Sequence, residues 1–118
     1  MNNMVKTLSI IILFVLGLIF PMPSFSDPLP GEVLFKNKCK KCHKTTEQLA
    51  TGPGLKDVTR RRSIEWIDRW LKNPKAVMNS DDPIAQELKK NFKIQMPTYP
   101  EMSDDEKRMD IIEYLKTL

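Results

Sequence analysis

The sequence predicts an all-α fold, for two reasons. Apolar residues recur at helical spacing in several segments after residue 27, and residues that begin or end helices flank those segments. No segment shows the sustained alternation of apolar and polar residues that is typical of strands. We therefore expect a small helical domain.

The first 26 residues are expected to be a secretory signal peptide. Their only charge is Lys6, which precedes 13 uncharged residues, 8–20. That run has the length of the apolar region of a signal peptide and is shorter than a membrane-spanning helix. The small residues Ser24 and Ser26 predict cleavage before Asp27, with retention as an uncleaved anchor as the alternative. After cleavage we expect no stable insertion into a membrane.

The rest of the chain, residues 27–118, is long enough for one domain. These 92 residues contain 18 Lys and Arg and 15 Asp and Glu, which gives a formal net charge of +3. Because nucleic-acid-binding domains are much more strongly basic on one face, we expect no nucleic-acid partner. A domain of this size buries a modest core and often depends on a disulfide, a metal or a cofactor.

Two helices are expected on either side of a long loop. The first begins at Gly31 and extends to Cys42, and residues 45–56 form the loop because they lack periodicity and contain a Gly-Pro-Gly sequence. The second helix, 63–73, begins with the capping residue Ser63 and ends before a proline. Its apolar face consists of Ile64, Trp66, Ile67, Trp70 and Leu71.

Two more helices are expected in the second half of the domain. Asp82 caps the third, and Pro83 occupies its first position. Residues 95–100 form a loop that contains two prolines. Ser103 caps the last helix, and Glu106 completes a capping box. The apolar positions of these two helices are Ile84, Leu88 and Phe92, then Ile111, Tyr114, Leu115 and Leu118.

The segment CKKCH contains every cysteine and the single histidine of the chain, Cys39, Cys42 and His43. Structural zinc needs about four such ligands, and only three are available. A redox-active Cys-x-x-Cys pair normally follows a strand, and none is expected here. A simple disulfide between the two cysteines would close so short a loop that it would stabilise the fold very little.

The spacing Cys-x-x-Cys-His is typical of the attachment of a c-type haem. Two thioether bonds, from Cys39 and Cys42, would hold the porphyrin, and His43 would reach the iron from one face. The apolar faces of the haem would also complete a core that 92 residues barely close alone. We therefore expect one covalently bound haem c.

The second axial ligand of the iron is not a histidine, because the chain has no other. Methionine, lysine, water or no ligand remain. Met96 lies in the proline-stiffened loop, where Pro97 favours an extended backbone before it. We expect Met96 to be the ligand, with Met78 as the alternative. Ligation by His43 and Met96 would leave no open position on the iron, which favours electron transfer over catalysis.

Taken together, these segments resemble the class I cytochromes c, which carry a single haem with histidine and methionine ligands. The resemblance covers residues 31–118 and rests on GEVLFKNKCKKCH, GPGL, the later Met-Pro pair and a capped terminal helix that ends in YLKTL. It implies a small cytochrome c fold, with helices packed around one covalently bound haem. It also implies that His43 and Met96 are the metal ligands and that the carbonyl of Pro53 bonds to the other ring nitrogen of His43.

The resemblance also predicts how the chain is arranged around the haem. The first and last helices are expected to cross through Gly31, Phe35 and Tyr114. The haem propionates are expected to contact one of three consecutive arginines or an indole N–H, and the choice stays open among Arg60, Arg61, Arg62, Trp66 and Trp70.

The function predicted in this way is that of a soluble electron-transfer protein in the periplasm, since bacteria attach haem c outside the cytoplasm. It is not expected to be an enzyme. A haem-based sensor or binder of small ligands and a cytochrome subunit of a larger redox complex are the alternatives. We expect redox partner proteins to dock at a lysine-rich haem edge formed by Lys36, Lys38, Lys40, Lys41 and Lys44.

Overall fold

A computed structural model describes residues 26–118 and confirms the all-α fold, since no strand occurs within that range. The signal peptide predicted for residues 1–26 lies outside the described residues except for its last position. The helices are α1 Pro30–Lys38, α2 Val58–Arg61, α3 Ile64–Lys72, α4 Pro74–Met78, α5 Pro83–Asn91 and α6 Asp105–Leu115, with a 3-10 turn at Pro100–Ser103 before α6. None of the helices in the described range is both long and apolar enough to cross a membrane.

Two of the predicted helix starts are confirmed by their capping hydrogen bonds. The Ser63 hydroxyl accepts a bond from the backbone N–H of Trp66, with 3.2 Å between oxygen and nitrogen. The Asp82 carboxylate accepts one from the N–H of Ala85 at 2.9 Å, and Pro83 follows it in the first turn of α5. Each cap satisfies an N–H that the helix itself leaves without a partner.

Two predicted boundaries are wrong. The first helix ends at Lys38 rather than Cys42, because Cys39 and Lys40 both donate to the carbonyl of Phe35 and thereby interrupt the regular bonding pattern. The cap of α6 is Asp104 rather than Ser103, and its carboxylate accepts bonds from the backbone N–H groups of Glu106 and Lys107. The Ser103 hydroxyl instead donates to the carbonyl of Pro100 within the 3-10 turn.

Three short elements were not predicted. Asn73 ends α3 as expected, but its side chain also accepts a bond from Ala76 N–H at 3.0 Å and so begins α4. Pro74 occupies the first position of α4, where proline is well tolerated because no helical acceptor exists for its missing N–H. Helix α2 and the 3-10 turn have four residues each, which is too short for a periodic apolar pattern.

The predicted crossing of the first and last helices is confirmed. A Cβ atom on Gly31 would overlap the carbonyl of Asp110, so the two backbones approach as closely as glycine allows. Beside this contact the rings of Phe35 and Tyr114 lie 5.2 Å apart, at an angle of 53°. The buried apolar cluster around the crossing contains Phe35, Trp66, Ile67, Leu71, Met102, Ile111, Ile112 and Leu115.

A buried arginine connects α6 to its neighbours. The Arg108 side chain is only 3% exposed. Its guanidinium donates to the Asp68 carboxylate of α3 at 2.7 Å, to the carbonyl of Met102 at 2.7 Å and to Asp105. Because a buried guanidinium needs acceptors for its N–H groups, these bonds fix α6 relative to α3 and the 3-10 turn.

We expect Gly31→Ala to destabilise the protein, although alanine favours helices more than glycine does. The added methyl group would force α1 away from α6, and overpacking of this kind costs roughly 1–3 kcal/mol, more than the gain of about 1 kcal/mol in helix propensity. The measurement is the urea midpoint of the haem-loaded protein. Asn37→Ala, at an exposed position of the same helix, is the control and should keep or raise the midpoint. A higher midpoint for Gly31→Ala would contradict the packing described here.

Candidate haem-binding site

The CKKCH segment forms a tight turn at the end of α1. The backbone N–H groups of Cys42 and His43 both donate to the carbonyl of Cys39, at 3.1 and 3.0 Å. This turn brings both sulfurs and the imidazole to one cleft, which all three residues line. The packing of α1 against α6 therefore fixes the position of the turn, because the turn follows directly from α1.

His43 is held by a hydrogen bond that defines its protonation. Its Nδ1 lies 2.8 Å from the carbonyl oxygen of Pro53. Because a carbonyl can only accept, Nδ1 carries the proton, and Nε2 of the neutral ring keeps its lone pair for a metal. Gly52 lies against the ring, and a Cβ there would be 2.6 Å from Cε1 of His43. Glycine is thus required for the loop to approach the imidazole.

The cleft is mainly apolar and partly open to solvent. Helices α1, α3, α5 and α6 and the loops around residues 51–55 and 94–99 all contribute to its walls. The apolar lining includes Phe35, Leu55, Ile67, Leu71, Leu88, Phe92, Ile111 and Leu115. Large apolar walls with a few polar groups at defined positions are typical of cofactor sites.

Met96 lies on the loop before the 3-10 turn and also lines the cleft. The indole Nε1 of Trp70 donates a hydrogen bond to its Sδ, with 3.0 Å between the two atoms. The same loop is fastened to the end of α1, because the Tyr99 hydroxyl donates to the carbonyl of Lys38 at 3.1 Å. Lys38 also forms an ion pair with Glu101 at 2.6 Å. These bonds hold the Met96 loop beside the CKKCH turn.

The environment of the thiols disfavours a redox dithiol. Cys39 and Cys42 are not joined to each other. Burial, with a smaller contribution from the charge of Cys42, raises the pKa of the Cys39 thiol to about 11. Redox-active cysteines have lowered pKa values, because the thiolate is the reactive form. A Cys39 thiol this strongly protonated does not suit disulfide exchange.

The arginines and tryptophans that were predicted as contacts of the haem propionates do not all lie in the cleft. Arg61 and Arg62 line the cleft, whereas Arg60 lies in solvent beside Asp57. Trp66 lines the cleft as well, but its indole N–H donates to Asp82 at 3.0 Å. The alternative ligand, Met78, also lines the cleft and is 4% exposed.

The sequence did not predict the hydrogen bond from Tyr99 to Lys38 or the one from Trp70 to Met96. An aromatic residue between two prolines could have indicated an anchor in the loop, but no signal identified its acceptor. The residues that line the cleft fit a haem c. They provide two thiols for attachment, an imidazole with a free Nε2, a thioether and apolar walls.

Solved structures similar to this chain are cytochromes c. A cytochrome c from Rhodothermus marinus is 27% identical with a TM-score of 0.68, and the match covers 83% of this chain and 86% of that one. A cytochrome c domain of the pp3183 protein from Pseudomonas putida is 30% identical with a TM-score of 0.62, covering 74% and 85%. An engineered Rhodothermus marinus cytochrome c bound to a carbene intermediate is 26% identical with a TM-score of 0.63, covering 83% and 87%.

A comparison with curated proteins finds no significant match. The family model described as cytochrome c matches residues 29–118, which include the CKKCH turn, the Pro53 loop, Met96 and the six helices found among residues 26–118. Since the match covers most of the chain, the protein belongs to the cytochrome c family, whose members bind haem c covalently and use it for electron transfer.

Proposed function

We propose that this cytochrome c is an exported carrier of single electrons, with one haem attached through Cys39 and Cys42 and with His43 and Met96 as iron ligands. The observation that carries the proposal is that both of these side chains line one cleft and that each is held by a hydrogen bond to a neighbouring residue. For His43 the partner is the Pro53 carbonyl, and for Met96 it is the Trp70 indole. When bound, the haem supplies an iron that accepts or releases one electron.

The Pro53 carbonyl determines which ring nitrogen of His43 is available to bind the iron. It keeps the proton on Nδ1 and orients the ring, so that in the neutral imidazole Nε2 is the nitrogen with the free lone pair. A carbonyl acceptor on Nδ1 also makes the imidazole a stronger donor at Nε2. Gly52 supports this arrangement by allowing the loop to lie against the ring.

Met96 is a better candidate than Met78 for the second ligand. Met78 is almost completely buried at the end of α4, and its carbonyl accepts a bond from Gln86. Met96 is only partly buried in a loop that is fastened to α1, and its sulfur already has a polar partner beside the cleft. A thioether ligand raises the reduction potential and fills the last iron position. A filled position favours a carrier over a sensor of small ligands.

Export to the periplasm rests on the sequence of residues 1–26 and on the haem itself. The single lysine, the short apolar run and the small residues before Asp27 have the order of a cleavable signal peptide. Membership of a family that carries haem c agrees with export, because bacteria attach this haem outside the cytoplasm.

The lysines near the CKKCH turn support a docking surface for an acidic partner, but they are not equivalent. Lys36 is paired with Glu32 at 2.6 Å and Lys38 with Glu101 at 2.6 Å. Each pair removes net charge from the surface. Lys40 and Lys41 are exposed and lie between the two attachment cysteines. We therefore assign the attraction of a redox partner chiefly to Lys40 and Lys41, together with Lys44, whose ammonium group is exposed and donates only to the neutral amide of Gln48.

We expect Met96→Ala to abolish the Met–Fe(III) charge-transfer absorption of the oxidised haem protein and to lower its reduction potential, because a sulfur ligand is lost. Met78→Ala is the matched control and should keep the absorption, since it removes a cleft methionine of the same size. Absorption spectra of both variants, produced with haem-attachment machinery, decide between them. The opposite pattern, with the band lost only in Met78→Ala, would reassign the ligand.

We expect the double variant Lys40→Gln, Lys41→Gln to react more slowly with an anionic one-electron oxidant, by about tenfold at low salt, because electrostatic steering changes association rates by this order or more. Added salt should remove most of the difference. Stopped-flow rates as a function of ionic strength provide the measurement. The variant Lys107→Gln, Lys116→Gln removes equal charge from two exposed positions, one in α6 and one just after its end, and should react at nearly the original rate. Equal slowing in both variants would show that only net charge matters.

A further inference from the structure

Two stacked tryptophans on α3 donate their indole N–H groups to different acceptors. The rings of Trp66 and Trp70 are 5.0 Å apart and nearly parallel, with 17° between their planes. Trp66 Nε1 donates to the Asp82 carboxylate at 3.0 Å, whereas Trp70 Nε1 donates to Met96 Sδ at 3.0 Å. Trp70 is therefore a contact of the ligand sulfur.

The position of Trp70 is fixed by its surroundings. Trp66, which supports one face of its ring, is 8% exposed. The acceptor of Trp66, Asp82, also caps α5 by binding Ala85 N–H and lies 3.6 Å from Arg69. The indole of Trp70 thus rests on a stacked ring that is bonded to the start of another helix. Because its own position is fixed, the Trp70 indole can restrain the sulfur of Met96.

A thioether sulfur can serve a metal and a hydrogen-bond donor at the same time. It has two lone pairs, and a bond from an N–H to one of them leaves the other for iron. The N–H draws electron density from the sulfur. Because Fe(III) gains more than Fe(II) from the electron density of a ligand, this withdrawal disfavours the oxidised state.

We propose that Trp70 is a positioning residue for Met96, and that its indole N–H raises the reduction potential of the haem through the sulfur. The inference rests on the proposed ligation by Met96. It gives Trp70 a different role from that of a propionate contact, because its one N–H is directed to the sulfur.

The test compares two variants that each remove one indole N–H from the same stacked pair. In the haem-loaded protein, Trp70→Phe should lower the equilibrium constant for reduction by about three- to tenfold, and tenfold corresponds to about 59 mV for one electron. Trp66→Phe removes an N–H that serves Asp82 rather than the sulfur, so it should lower that constant by less than Trp70→Phe does. Redox titration gives the potentials, and the Met–Fe(III) absorption band reports whether sulfur remains bound. An unchanged or raised potential in Trp70→Phe overturns the proposal.

A second variant separates the N–H from the ring. Benzothienylalanine at position 70 keeps the bicyclic shape and replaces the N–H with sulfur, so packing against Trp66 is preserved. It should lower the potential as Trp70→Phe does, and a potential equal to that of the unmodified protein overturns the proposal even where Trp70→Phe does not fold. If Met96→Ala keeps the absorption band, the proposed ligation itself fails. If Met96→Ala loses the band while benzothienylalanine changes nothing, only the role of Trp70 fails.

Discussion

The close approach of α1 to α6 at Gly31 is the contact on which the rest of the structure depends. The longest helix among residues 26–118 has 11 residues, and isolated helices of that length are barely stable in water. Their stability must come from packing against one another. The α1–α6 contact is the most extensive between any two elements of the described chain, and it leads directly into the haem site, because the CKKCH turn continues α1 while Ile111 and Leu115 of α6 line the cleft.

The second half of the site closes onto this helix pair through side chains. The loop that carries Met96 has no regular secondary structure, so its backbone has few bonds of its own. Tyr99 and Glu101 supply the missing constraints by binding the carbonyl and the ammonium group of Lys38. The carbonyl of Lys38 belongs to the last turn of α1, where carbonyls have no partner within the helix. The bond from the Tyr99 hydroxyl gives this carbonyl a partner and at the same time holds the loop. The CKKCH turn and the Met96 loop are therefore connected through one residue, Lys38.

Local signals predicted more of the fold than of the site. The caps Ser63 and Asp82 were predictable because each bonds within three residues, and the crossing glycine was indicated by the family resemblance. The start of α6 was placed one residue early, since Ser103 and Asp104 both suit a cap and only the competing bond from Ser103 to Pro100 decides between them. In the site, CKKCH is contiguous and so was visible. The bond from Trp70 to Met96 spans 26 residues, and no local pattern encodes it.

The two proposed ligand side chains, His43 and Met96, are supported in physically different ways. Support for His43 is local, since Pro53 is ten residues away and the bond is to a backbone carbonyl, which no substitution removes directly. Support for Met96 comes from a side chain on α3, so it depends on the identity of Trp70 and on how α3 packs against the loop. An electron carrier needs ligands that keep their positions in both oxidation states, which requires rigid support for both. Under the proposed ligation, changes at Trp70 would adjust the electron density at the iron through Met96, while His43 and the CKKCH turn stay the same.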